Sequence, residues 1–308
     1  VVFKVSVIIP VFNTAQYLTR AVQSAISLEE VGEVIIIDDG SQDASLDVAK
    51  GLSQEDVRVK FMQHPDAGNH GPAASRNLGI KNSGCDFIAF LDSDDYYFTN
   101  RFSVDKLIFD LNDDVDAIYN CSHTVFESDV AKERYYAYDQ SPVYTLSETV
   151  TPEKLFKALL FYWHGRLHTS AITVKREAFQ KTGLFSESLR WAEDTELWLR
   201  LALKTKMIPG NITEPVSNRL IHDTNVSHQA DKASFYKSEM YYSLFRWALD
   251  YGCTFENLND IFNAHKKFLC QQGQLCSDKT LLMKYAKRFI GKITKPFFIK
   301  KLFMVLRA

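Results

Sequence analysis

Asp92-Ser93-Asp94-Asp95 packs three carboxylates into four residues, directly after the apolar run Phe87-Ile88-Ala89-Phe90-Leu91. A buried strand running into such a cluster brings like charges to one point at its carboxyl end, where they repel one another. A divalent cation bound through oxygen removes that repulsion, and a cation beyond a strand end is well placed to hold a phosphorylated ligand. An exposed turn could carry the same acids, but the hydrophobic strand before them favours an ion. The chemistry implied is nucleotide binding through a metal.

Other segments could serve the same chemistry. Asp38-Asp39-Gly40-Ser41 follows Ile35-Ile36-Ile37 and reads as an ordinary turn with Ser41 or Asp43 capping the next helix. A carboxylate there also suits a base edge with an imide N–H, such as uracil. In Val7-Ile8-Ile9-Pro10-Val11-Phe12-Asn13 the proline lacks an N–H, so the strand ladder is predicted to stop at Pro10 and to free the following backbone for a ligand. Arg76 sits at helical spacing from Pro72 and Ile80, either as a solvated charge or as a phosphate clamp. Trp191-Ala192-Glu193-Asp194-Thr195-Glu196-Leu197-Trp198 begins an amphipathic helix. Asp194 is there either an N-cap or a proton acceptor beside an aromatic wall for the apolar face of a sugar. His222, just past the short run Arg219-Leu220-Ile221, is either structural or a metal or phosphate contact.

The elements that must position these groups read as α/β. Strands are predicted at Val5 to Pro10, Glu33 to Asp38, Val57 to Gln63 and Asp86 to Leu91, with helices near Ala15 to Ser27, Ala44 to Leu52 and Pro72 to Asn82. Such alternation predicts a mostly parallel sheet flanked by helices, with ligands beyond the strand carboxyl ends. After Asp116 the alternation weakens through aromatic segments, a helix begins near Asp194, and from about Asp231 the chain reads as helices only. The expected organisation is a catalytic domain over 1–228 and a helical region over 229–308.

A chain of 308 residues, 46% hydrophobic, can bury a large core. No run reaches the roughly 18 apolar residues of a membrane span, and Val1 to Pro10 does not read as a signal peptide, so the expected location is cytoplasmic. The five cysteines form no CxxC pair and no zinc ladder with histidine, and free core thiols are expected. From Lys279 onward there are nine basic and no acidic residues, leaving 27 basic against 38 acidic before it. This basic tail, interleaved with Phe, Ile and Leu and broken by Pro296, suits peripheral contact with the inner face of a membrane. The alternative is a helical subdomain packed on the core or on a second subunit, which would make a homo-oligomer. Nucleic acid is not expected, because nothing in the acidic body supports it.

Taken together, the segments Val-Ile-Ile-Pro-Val-Phe-Asn, Asp38-Asp39-Gly40-Ser41, Ala74-x-Arg76-Asn77-x-Gly79, Phe90-Leu91-Asp92-Ser93-Asp94-Asp95 and Glu193-Asp194 before Leu197-Trp198-x-Arg200 resemble family 2 glycosyltransferases of GT-A fold. The resemblance covers residues 1 to about 228 and not the helical remainder. It implies a nucleotide-sugar donor, a UDP-sugar by expectation, against Pro10, Phe12, Asn13, Asp39, Arg76, Asp92 and Ser93. It implies Mn²⁺ or Mg²⁺ at the DXD position, with Asp94 as the direct ligand and Asp92 and His222 as further candidates. Asp194 matches the catalytic base of an inverting hexosyl or N-acetylhexosaminyl transfer to a hydroxyl of a bacterial glycan or glycolipid. A catalytically silent nucleotide-sugar or glycan-binding module is the alternative, which intact Asp94 and Asp194 disfavour. A nucleotidyltransferase would need a glycine-rich G-x-G-T-R segment and a Rossmann dehydrogenase a G-x-G-x-x-G, and neither is present.

Overall fold

Strands buried on both faces have no polar side to alternate with, which is why the first runs of valine and isoleucine are nearly continuous. The structure, a computed structural model, describes residues 2–137, 141–162, 165–222, 230–274 and 277–289. Its elements are β1 (Val5–Val11), α1 (Ala15–Ile26), β2 (Val31–Asp38), α2 (Ser45–Glu55), β3 (Val59–Gln63), α3 (Pro72–Lys81), β4 (Phe87–Phe90), β5 (Tyr96–Tyr97), α4 (Ser103–Leu111), β6 (Ala117–Tyr119) and β7 (Ser122–Phe126). There follow α5 (Asp129–Tyr136), β8 (Val143–Tyr144), α6 (Pro152–Phe161), a 3₁₀ turn at Thr169–Ala171, β9 (Ile172–Lys175), α7 (Ala178–Thr182), α8 (Glu193–Lys204), β10 (Met207–Pro209), β11 (Ser217–Ile221), α9 (Ala230–Asp250), α10 (Phe255–Gln271) and α11 (Asp278–Phe289).

Seven strands form the main sheet in the order β10-β6-β9-β4-β1-β2-β3. β1 is parallel to β2 and β4, β2 to β3, and β10 to β6, whereas β9 runs antiparallel between β4 and β6. This is the mostly parallel, helix-flanked sheet that the sequence predicts. A second sheet, β5-β11-β7-β8, carries Tyr144 and Arg219. The expected break at Pro10 is corrected: β1 stays paired with β2 through Pro10↔Ile37 and Val11↔Asp38. The Ile8 carbonyl accepts from the Leu91 N–H, so Pro10, two residues on, faces the same neighbour past β4's last paired residue, Phe90. The missing N–H ends pairing with β4 alone.

Two hydrophobic cores lie on the faces of the main sheet. One joins β1 and β2 to α1, α2 and α4 through residues such as Ile9, Leu18, Ile36 and Phe109. The other joins Ile8, Phe90, Leu197 and Trp198 to Leu244, Phe245, Leu258 and Leu281, so α9, α10 and α11 share an apolar core with the strands. Gly79 lets α3 settle on β1, because a Cβ at that position would lie 2.5 Å from Ile8 Cγ2. Cys121 and Cys253 are buried free thiols. Among the described residues no helix is long and apolar enough to cross a membrane. The basic segment over 290–308 and the domain boundary near 228 lie outside the described residues.

Candidate active site

The ends of β1 and β4, the turn at Thr169–Ala171, the start of α8 and the end of β11 converge on a cleft of about 890 Å³. Phe12, Asn13, Arg76, Asp92, Asp94, Asp194 and His222 all line it. Among the described residues, three of the four non-glycine positions with left-handed backbone, Asn13, Tyr162 and Ala192, line this cleft. Such conformations cost of order 1–3 kcal/mol each and persist where surrounding structure holds them, most often at functional sites.

Arg76 is the internal tie between the two acidic motifs. Its guanidinium donates to Asp92 Oδ1 and to Glu193 Oε1, each at 2.7 Å, and the residue is buried. Burial works against its charge, but Asp92, Glu193 and Asp194 hold it firmly protonated. Arg76 lines the cleft with its two terminal nitrogens each donating to a carboxylate, while its Nε is buried without a hydrogen-bond partner. Its neighbour Asn77 donates to the Phe185 carbonyl and accepts from the Phe185 N–H, at 3.0 and 2.9 Å, which fixes the chain leading into α8.

The turn at Thr169–Ala171 links the same two motifs from the other side. Ser170 Oγ donates to Asp95 Oδ2 at 2.8 Å and accepts from the Asp92 N–H, while Thr169 Oγ1 donates to Asp194 Oδ2 at 3.2 Å. Arg101 pins the carbonyls of Ser170 and Ile172. Asp95 also accepts from the Leu220 N–H. It is buried yet lines the cleft, and burial together with the charges of Asp94 and Asp92 pushes it well above the usual carboxylate range. Asp92 goes the other way. Burial opposes its ionisation, yet the Arg76 guanidinium holds it below the usual range.

Asp194 is the second residue of α8, not its N-cap, a position held by left-handed Ala192. That turn sends Glu193 inward to Arg76 and leaves Asp194 on the cleft, where Oδ1 accepts from the Thr195 N–H at 2.6 Å. Glu193 is raised to about 7 by burial and by the adjacent Asp194 charge. Of the two flanking tryptophans, Trp191 tilts against Tyr236 across the cleft, with ring centroids 5.1 Å apart. Trp198 instead packs into the core against Phe90 and Phe185.

The predicted metal ligands divide between two adjacent groups. Asp94 Oδ2 lies 2.9 Å from His222 Nε2. Asp92 groups with Asp95 and with His168, whose candidate ligand atoms all fall within 4.8 Å of one another. Burial and the nearby Arg219 push His168 down to about 3, which leaves its imidazole neutral. Nothing in the sequence around His168 singles it out as a ligand. A divalent cation fits this donor set, since carboxylate oxygens with imidazole suit Mn²⁺ and the oxygens alone suit Mg²⁺, and it would relieve the repulsion that raises Asp95.

Three predicted donor contacts do not line the cleft. Asp39 is buried, and its carboxylate accepts from the N–H groups of His70 and Gly71, both at 2.8 Å. It closes the 64–71 loop rather than presenting itself to a base. Ser93 is buried and accepts from Thr14 Oγ1 at 2.8 Å, and Pro10 ends the β1–β4 pairing. Phe12, by contrast, is 45% exposed on the cleft. Asn13 beside it accepts from the Gln42 N–H and donates its own N–H to Ser41 Oγ, tying the first two loops together.

A mostly parallel sheet delivering acids from one strand end and one helix start into a single cleft defines an enzyme of GT-A architecture. The chain belongs to glycosyl transferase family 2, whose model matches residues 6–183. It is 27% identical over 314 residues to an uncharacterised glycosyltransferase of Rickettsia typhi, spanning 98% of this chain and 91% of that protein. An uncharacterised glycosyltransferase of Rickettsia conorii is 31% identical over 233 residues, 75% of this chain but only 35% of the relative's length. In fold the chain is similar to S. aureus TarS residues 1–349 in complex with UDP-GlcNAc, with a TM-score of 0.68 at 18% identity over 92% of this chain and 81% of TarS.

Proposed function

We propose that the protein transfers a sugar from a nucleotide-diphosphate donor, a UDP-sugar, to a hydroxyl of a glycan or glycolipid acceptor with inversion at the anomeric carbon. The observation that carries this reading is the meeting of Asp94 and Asp194 in one cleft, braced by Arg76 between Asp92 and Glu193. Phe12 offers an exposed ring face for the base, and Asn13 stands beside it. The UDP-GlcNAc in the similar TarS structure supports the choice of donor. Asp194, oriented by Thr169 and Thr195, takes the proton of the acceptor hydroxyl as that oxygen attacks in line. Arg76 keeps Glu193 and Asp92 in place without touching substrate. A divalent cation held by Asp94, with Asp92 and His222 at hand, would neutralise charge developing on the departing diphosphate. The location that fits is cytoplasmic, beside the membrane face where such acceptors are made, with 1–228 as the catalytic domain.

The test is a thermal-shift screen of nucleotides and nucleotide sugars with Mn²⁺ or Mg²⁺, followed by turnover of the hits with and without chelator. A ligand at 100 times its dissociation constant stabilises by about 2.7 kcal/mol. Metal-dependent stabilisation by a UDP-sugar and its hydrolysis or transfer support the reading. Stabilisation without turnover by any donor would instead favour a binding module.

A further inference from the structure

The wall of the cleft beyond Asp194 is cationic, lined by Arg166, Arg219 and Lys237. Lys237, on α9, places Nζ 4.1 Å from the centre of the Tyr162 ring and 5.1 Å from that of Phe268. No carboxylate among the described residues pairs with it. Half-buried and beside the charge of Arg166, its ammonium is pushed down to about 8. Arg166 in turn lies over the Tyr144 ring at 5.2 Å. Arg219 stacks on the other side of this group, 4.6 Å from the same ring, and its Nη1 is buried with no hydrogen-bond partner. All three cations line the cleft that holds Asp194. Burying donors without partners and crowding like charges are both unfavourable, unless a ligand supplies the missing acceptor.

The surrounding rings supply the other half of a recognition surface. Tyr162 lines the same cleft as Asp194, with its ring facing the Lys237 ammonium. Trp191 and Tyr236 present a tilted pair at the same mouth. Flat apolar rings suit the carbon faces of a sugar or polyol, while arginine and lysine between them suit an anionic oxygen group. Most of this wall comes from the 144–166 stretch and from α9, and α9 lies beyond the family match.

We propose, resting on the transferase reading above, that the acceptor carries a phosphate or carboxylate close to the hydroxyl that receives the sugar, and that Lys237, Arg166 and Arg219 recognise this anion. The experiment uses the full chain saturated with UDP and Mn²⁺, so that the donor diphosphate site is filled. Calorimetric titration with methyl glucoside, methyl glucoside 6-phosphate and methyl glucuronide compares one neutral and two anionic probes. At least one anionic probe is expected to bind roughly tenfold or more tightly than the neutral glycoside. The stronger anion then identifies a phosphate-bearing or a uronic acceptor. Lys237→Gln removes most of that preference, Lys237→Arg keeps it, and the affinity for UDP is the same in all three proteins. Thermal unfolding confirms that each variant is folded. Equal affinity for all three probes, or a preference that survives the combined K237Q and R166Q changes, overturns the inference while leaving the transferase reading intact. Failure of the parent protein to bind UDP at all overturns both.

Discussion

The wall made by the strand ends and the wall made by the 144–166 stretch and α9 face the same cleft but are built in opposite ways. Phe12, Asn13, Asp92 and Asp94 come from two short stretches fixed by adjacent strands, and their neighbours in sequence are also their neighbours in space. Tyr144, Tyr162, Arg166, Arg219 and Lys237 come from separate elements, and none is held by the main sheet. Charges differ as well. On the first wall each strong charge has a partner, as Arg76 has with Asp92 and Glu193 and Asp94 has with His222. On the second, Lys237 contacts aromatic rings instead. A rigid, neutralised wall suits a donor common to many enzymes, while an underneutralised one assembled from variable elements suits an acceptor particular to this protein.

The contrast can be broken most severely at its joint. Arg76→Ala strands Glu193 as a buried, unpaired acid and leaves the partly exposed Asp92 without its arginine, and breaking a buried pair costs about 3–5 kcal/mol. Denaturant unfolding is expected to show that loss, with activity falling alongside. A stability within about 0.5 kcal/mol of the parent, as at an ordinary surface position, means that Arg76 is not the brace described. Asp94→Ala acts on the first wall alone. It is expected to weaken metal-dependent UDP binding by roughly 100-fold with little loss of stability, read by calorimetry with and without Mn²⁺. Unchanged affinity would place the metal on the Asp92, Asp95 and His168 group instead.

The second wall has a pH signature. Lys237, depressed by burial and by Arg166, is an ammonium at pH 7 and loses its proton as pH rises through about 8. The facing phenol of Tyr162, raised to about 12 by burial, stays neutral over this range. The sign is therefore a fall in kcat/KM for an anionic acceptor, approaching tenfold per pH unit above 8 if Lys237 dominates recognition. A neutral acceptor is expected to show no such limb. Identical profiles for the two acceptors would remove Lys237 from recognition.

How far the sequence could be read follows the same division. The strand ends were legible because β-branched runs, turn residues and acids lie next to one another, so Asp92 and Asp94 could be placed on the cleft without any tertiary information. The start of α8 was legible to within one residue, but not the left-handed Ala192 that sends Glu193 and Asp194 different ways. For Arg76 and Asp39 the sequence could not supply the protein partners, because a charged residue beside a predicted ligand site can be held by distant groups, and only the fold shows Glu193 or the amides of His70 and Gly71 arriving. Pro10 was misread because a proline removes one ladder and spares the other, which depends on strand order. His168 and Lys237 carried no local signal at all, since their significance comes from residues far away in the chain.

The central claim is that Asp194 accepts the proton of the attacking hydroxyl, and Asp194→Asn tests it most directly. Asparagine keeps the size, and its carbonyl oxygen can still accept from the Thr195 N–H while its amide donates to Thr169 Oγ1, but it cannot take a proton. With the donor identified by the nucleotide-sugar screen, transfer is predicted to fall by roughly 10²- to 10⁴-fold, while UDP affinity measured by calorimetry stays within about twofold of the parent. Near-normal turnover in that variant would contradict the account and move proton abstraction to another group on the cleft, with Glu193 the first to examine.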